Sequence, residues 1–189
     1  MRCVAVRLCF AGALLLASAS GSTQDDAPAS RAEVTVRKDG NRVTVEANMS
    51  VPVPAAIAWA VLTDFAHMTR FIPSLSASEA VSEGPDVLRV TQKGAATWGP
   101  FTFEFESVRR IALQPMSRIE STTLSGKISK MTSVSELRPA QSGVHIHYRA
   151  DAEIDFWLPP LLGTAAMRHE VREQFAAMIE EMQRRNARR

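Results

Sequence analysis

The stretch VPVPAAIAWAVLTDFAHMTRFIPSL, Val51 to Leu75, decides the fold of this chain. Pro54 suits the first position of a helix, where its fixed φ is favourable and its missing N–H would have had no partner anyway. Ile57, Ala58, Val61 and Leu62 then recur at helical spacing around Trp59. Thr63 or Asp64 is placed to cap a second helix by accepting a backbone N–H bond. That helix carries Phe65, Met68, Phe71 and Ile72, and Pro73 ends it. Two short helices joined by a cap are therefore expected.

The segments on either side read as strands. Upstream, Glu33 to Val36 alternates, Asp39-Gly40-Asn41 is a turn, and Val43, Val45, Ala47, Met49 and Val51 share one face. An opening hairpin or one long kinked strand satisfies that pattern. Downstream, Leu75–Ser82, Val87–Lys93, Phe101–Ile111, Arg118–Leu124 and Lys130–Arg138 are separated by turn residues. Val144 to Phe156 alternates again, with Val144, Ile146, Tyr148, Ala150, Ala152, Ile154 and Phe156 on one face. His145, His147, Arg149, Asp151, Glu153 and Asp155 lie on the other. After Trp157-Leu158-Pro159-Pro160 a long helix is predicted from about Leu161 to Asn186. Its apolar stripe holds Leu161, Thr164, Met167, Val171, Phe175, Met178 and Met182, flanked by Arg168, Arg172, Glu173 and Glu181.

Strands with one apolar face need that face covered, and one long amphipathic helix is available to do it. The simplest packing is an α+β fold: a curved antiparallel sheet of five or six strands, plus the opening one, wrapped around the C-terminal helix. The short helix pair then plugs one end of this half-barrel, which the single long helix cannot seal.

The same stretch resembles the START-like (SRPBCC) superfamily, which includes the birch-pollen-allergen fold. It is most similar to the branch of bacterial polyketide cyclase/dehydrase and coenzyme Q-binding proteins. The resemblance lies in a strand ending in a small-Pro motif, then Trp-x-x-Leu-Thr-Asp, then an aromatic followed by Ile-Pro. These fall on Pro54, Trp59, Leu62, Thr63, Asp64, Phe71, Ile72 and Pro73, and the element order matches over roughly residues 33 to 185. The resemblance implies a helix-grip fold enclosing an apolar cavity between sheet and C-terminal helix. In relatives such cavities hold lipids, sterols, quinones or polyketides. Trp59 and Asp64 carry over as structural residues, a core aromatic and a helix cap.

Length and composition agree with one domain. The chain has 189 residues, 46% hydrophobic and 22% charged, ordinary values for a globular protein. Arg2 and Arg7, the apolar run Leu8–Ala17 and the small-residue site Ala17-Ser18-Ala19 read as a secretory signal peptide cut after Ala19. The run is too short to span a bilayer. Residues 20–32 read as a flexible linker and 33–186 as the folded domain. Cleavage removes both cysteines, Cys3 and Cys9, and two arginines, leaving 20 basic against 20 acidic residues. A periplasmic or secreted, disulfide-free monomer is expected. Its neutral charge gives no reason to expect nucleic acid as a partner.

The residues expected to line the cavity are Phe71, Phe101, Phe103, Phe105, Tyr148, Ile154, Leu161 and Phe175. Burying apolar ligand surface there contributes about 0.8 kcal/mol per methylene, so no charged contact is required. His145 and His147 have a spacing that suits one metal ion. They stand on the polar face with no third ligand evident and no cysteine, so neither metal nor cofactor is expected. His67 and His169 read as surface residues, and Glu104 and Glu106 as the solvent-facing partners of the phenylalanines. There is no Gly-x-Ser-x-Gly, His-Glu-x-x-His or phosphate loop, and no catalytic residue is assigned. Trp98, Trp157 and the basic tail Arg184–Arg189 offer transient membrane contact. The expected function is an exported protein holding a hydrophobic small molecule. The alternatives are a cyclase- or dehydratase-type enzyme, which needs an ionisable group inside the cavity, and an accessory protein whose cavity has collapsed.

Overall fold

The computed structural model describes residues 32–98, 101–128, 130–154 and 163–189, the side chains of 96, 98 and 101 apart. The predicted signal peptide lies outside the described residues. The alternating segments become eight strands: β1 (Ala32–Asp39), β2 (Arg42–Val51), β3 (Leu75–Gly84), β4 (Val87–Trp98), β5 (Phe101–Gln114), β6 (Arg118–Gly126), β7 (Lys130–Ala140) and β8 (Gly143–Glu153). The opening segment is the hairpin, not the kinked strand, because Gly40 turns at φ 58°. All eight strands form one antiparallel sheet in the order β1-β2-β8-β7-β6-β5-β4-β3. Strands β3 to β8 are successive hairpins, and β2 closes beside β8.

The step from β2 to β3 is made by the decisive stretch. It forms α1 (Ala55–Leu62) and a 3-10 turn over Phe65–Arg70. Pro54 stands just before α1, and its carbonyl accepts from Ile57 and Ala58. Ile57, Ala58, Val61 and Leu62 are buried, as their spacing requires. Asp64 is not the side-chain cap expected of it: neither short helix has a side-chain cap bond. Thr63 Oγ1 instead donates back to the Trp59 carbonyl at 2.8 Å.

The C-terminal helix α2 (Gly163–Ala187) lies along β1 and α1. Phe175, Ile179 and Met182 are buried on it, and Met167, Val171 and Met178 are partly buried against the same core. Glu181 corrects the sequence reading. It was placed on the flank, yet it is 5% exposed.

Two glycines permit close approaches of the chain. Gly143, at φ +145° in the β7–β8 turn, leaves 2.1 Å between an added Cβ and the Val51 carbonyl oxygen. Gly94 on β4 is overlaid by the Phe105 ring, 2.7 Å from an added Cβ, with the Ser74 carbonyl oxygen closer still at 2.1 Å. Any side chain at either place would displace backbone.

Candidate functional site

Register places the inner face of the sheet. Val43, Ala47 and Met49 on β2 pair with Ala152, Tyr148 and Ile146 on β8. Tyr148 pairs in turn with Ser135, and Ser135 with Ile119. Ser121 pairs with Ile111, and Arg109 with both Thr123 and Val90. On β2 and β8 this face carries bulky apolar residues packed with α1 and the end of α2. Across β5, β6 and β7 it carries the small side chains Ser107, Thr123, Ser133 and Ser135 between the larger Arg109, Ile111, Ile119, Met131 and Leu137.

The consequence is visible at Tyr148 and Arg109. Both lie deep in the molecule, where burial is the largest influence on their ionisation. Neither is sealed: both keep partial accessibility, as do Ser107, Thr123, Ser133 and Ser135. Their neighbours Ala47, Val90, Ile111 and Ile146 keep no more than 1%. Protein interiors are close-packed, so a deep side chain with free surface borders a hollow. The free surface of these side chains is on the inner face of β5–β8. The Tyr148 ring meets that of Phe175 on α2 edge to face, centroids 5.1 Å apart.

The wall is polar at one place. Arg109 donates through one terminal nitrogen to Gln92 Oε1. Gln92 is held from behind: its Nε2 donates to Ser78 Oγ at 3.0 Å and to Met68 Sδ at 3.3 Å. Ser78 Oγ donates to the Phe65 carbonyl at 2.5 Å, so the chain of bonds ends on the 3-10 turn. Burial lowers the guanidinium's pKa from its ordinary value, and the nearby Tyr148 raises it. Burial raises the Tyr148 phenol, while its bond with Ser133 and the charge of Arg109 act the other way.

The eight residues predicted to line the cavity fall in several places. Tyr148 and Phe175 meet directly. Phe105 shares the inner face with Arg109 and covers Gly94. Phe103 is on that face too but 37% exposed. Ile154 is buried in the core. Phe71 sits at the other end, with the Arg185 guanidinium 5.8 Å above its ring. The Phe101 side chain and Leu161 lie outside the described residues, as do Trp157 and the Trp98 side chain. Gln92 and Arg109 were not foreseen, although the parity that put Phe103 and Phe105 inside also puts Arg109 there.

Two open depressions accompany the hollow. One of about 620 Å³ runs from Pro73–Ser76 to Phe105 and Glu106. One of about 400 Å³ lies between Pro73, Thr97 and the Glu170–Glu180 face of α2. Phe105 is the predicted lining residue that borders the first. The other polar candidates are on the surface. Glu104 is exposed, and Glu106 pairs with Lys93 at 3.0 Å. His145 Nδ1 bonds Ser50 Oγ at 2.8 Å, and His147 Nδ1 bonds Asn48 Oδ1 at 2.9 Å, both exposed.

Asp64 takes part in an ion cluster that fastens α2 to the short helices. Its carboxylate accepts from Arg185 at 2.7 Å and from His67 at 2.6 Å. Glu181 accepts from Arg185 at 2.6 Å and also from Arg184. Partial burial would raise both carboxyl pKa values, but the bonds from Arg185, with His67 at Asp64 and Arg184 at Glu181, bring both below their ordinary values. A carboxyl depressed in the folded state gives stability that is complete above its unfolded pKa and lost as pH falls through the folded one. Unfolding free energy is therefore expected to fall progressively below about pH 5. Asp64→Asn, which has no proton to take up, is expected to flatten that fall in denaturation curves taken across pH. An unchanged slope would remove Asp64 from the account.

The comparisons with known proteins agree with this fold. The family model for polyketide cyclase / dehydrase and lipid transport proteins matches residues 42–186. No curated protein sequence matches the chain. Among solved structures, the chain is similar to the Zhui aromatase/cyclase of a Streptomyces species, at 17% identity and TM-score 0.63, over 78% of this chain and 95% of that one. It is similar to a STAR-related lipid transfer protein of Xanthomonas axonopodis, at 14% identity and TM-score 0.60, over 79% and 98%. It is also similar to a START superfamily protein of Mycobacterium smegmatis, at 13% identity and TM-score 0.59, over 77% and 99%. At these identities the likeness is one of fold, the helix-grip arrangement of curved sheet and C-terminal helix.

Proposed function

This chain belongs to the polyketide cyclase / dehydrase and lipid transport family, and on that premise we propose that it binds a hydrophobic small molecule in the hollow between sheet and α2. The observation that carries the reading is the partial accessibility of Tyr148 and Arg109, together with that of Ser107, Thr123, Ser133 and Ser135 on the same inner face. Apolar ligand surface entering that space leaves water, at about 25 cal/mol per Å². Methionines 167 and 178 on the facing helix adapt to irregular apolar shapes without a fixed rotamer.

Export is part of the proposal and rests on the signal-like pattern of residues 1–19. Delivery by brief contact with a membrane rests on the sequence contexts Trp98-Gly99-Pro100 and Trp157-Leu158-Pro159-Pro160, which read as turns. Native mass spectrometry of protein purified from its own host tests both ligand and export. The expected spectrum has the mass of a chain starting at Ser20, carrying an extractable lipid, quinone or polyketide. Empty protein that also takes up none of a panel of such molecules would overturn the carrier reading. An uncut N-terminus would overturn export alone.

A second reading, a cyclase- or dehydratase-type enzyme, is favoured by one observation: ionisable groups, Arg109 and Tyr148, do face the hollow. The rest of the described inner face of the sheet supplies hydroxyls, the Gln92 amide and apolar groups, with neither carboxylate nor imidazole beside these two. Proton abstraction needs a base poised near working pH, and a phenol raised by burial is a weak candidate for that task.

A further inference from the structure

A guanidinium keeps its charge in protein interiors, and leaving such a charge buried and unpaired costs several kcal/mol. Arg109 is in that position. Its Nε is fully buried and has no hydrogen-bond partner, the one such side-chain atom among the described residues. The acceptor it has, Gln92 Oε1, is neutral. Among the described residues no carboxylate lies within ion-pair distance of it, although the outer surface is rich in such pairs. A leucine or methionine would fill the place at less cost if the wall were only packing.

The surroundings also orient it. The Phe65–Ser78–Gln92 series of bonds holds Gln92 so that its oxygen receives one Arg109 nitrogen. The guanidinium is thereby pinned at one corner, while the residue as a whole keeps part of its surface accessible. A guanidinium offers parallel N–H donors in a plane, and a carboxylate accepts two of them at once. No second cation is buried on this face among the described residues, which suits a ligand of one negative charge.

Resting on the carrier reading above, we infer that the ligand is an amphiphile with a carboxylate head, received by Arg109, its apolar body lying against the Tyr148–Phe175 pair and the facing side of α2. The ligand then supplies the charge and the acceptor that the protein leaves out. Tyr148, a neutral phenol tied to Ser133, flanks the head without competing for Arg109.

The test compares palmitic acid with its alcohol and its methyl ester, and with acetate, by calorimetry at mildly alkaline pH on the full mature chain. Hydrogen bonds to a charged group are worth enough to separate acid from alcohol by about ten- to a hundredfold in affinity. That preference is expected in the unaltered protein, retained in Arg109→Lys and lost in Arg109→Gln, with acetate alone not binding. If acid, alcohol and ester bind alike, the carboxylate inference is overturned and the carrier reading stands. If none binds, the carrier reading falls as well. Acetate binding as tightly as palmitate would make this an anion site without a tail, and would overturn the amphiphile. Should Arg109→Gln fail to fold, the acid-to-alcohol ratio of the unaltered protein decides by itself.

Discussion

Ser135→Phe is expected to abolish ligand uptake while leaving the protein about as stable as before. Ser135 faces inward on β7, paired with Tyr148 on one side and Ile119 on the other, and it keeps part of its surface. A benzyl group there projects into the space that a ligand would occupy. If that space is empty, the ring fills it, and phenylalanine also favours strand backbone. Uptake of a lipid or quinone, followed by displacement of a fluorescent fatty-acid analogue, should fall at least about tenfold, the equivalent of roughly 1.4 kcal/mol. Stability in urea should change by less than about 1 kcal/mol, since no packed neighbour is displaced. If the wall and α2 already meet, the same ring is forced into packed side chains and costs about 1–3 kcal/mol instead. The two readouts thus move in opposite ways under the two pictures, and a destabilised variant that binds as before would contradict the first.

Met182→Ala is expected to cost about 2–5 kcal/mol of folding stability, the range for deleting a large side chain from a core that cannot collapse around the gap. Met182 has no exposed surface and joins the end of α2 to the core formed with α1 and the β2–β8 strands. Met178, on the same helix but only partly buried, should cost distinctly less as alanine. Urea denaturation of the three proteins makes the comparison. Equal losses at the two positions would contradict a filled end and a hollow end along one helix.

The fold was legible because burial on one side of a strand writes itself into every second residue. The β8 pattern from Val144 to Ile154 named its inner face residue by residue. The helix pair of Val51–Leu75 was equally plain, since its apolar spacing is local and Pro54 and Pro73 bound it. What was missed depends on partners distant in sequence. Asp64 reads as a cap from its neighbours, but its carboxylate is claimed by Arg185, 121 positions later, and a charged partner outbids a lone backbone N–H. Glu181 reads as flank because it is acidic. It can be buried because Arg184 and Arg185, three and four residues on, lie over it on the same helical face.

Arg109 was legible in principle. The alternation through Phe103 and Phe105 continues to Ser107, Arg109 and Ile111, and Ile111 is 1% exposed. The predicted strand Phe101–Ile111 contains Arg109, but a charge is not an expected lining residue for an apolar cavity. The hollow is not legible in the residue pattern alone. A cavity enters the reading only through the family resemblance, because it depends on a three-dimensional sum of volumes that no spacing along the chain records.

Diffraction from crystals of the protein pressurised with xenon tests the hollow most directly, because xenon enters apolar voids and leaves packed cores alone. The structure predicts xenon density beside the Tyr148–Phe175 pair, between β7–β8 and the Met167–Val171 turn of α2. Crystals without xenon there, in which Met167 and Val171 touch Ser133 and Ser135, would contradict it.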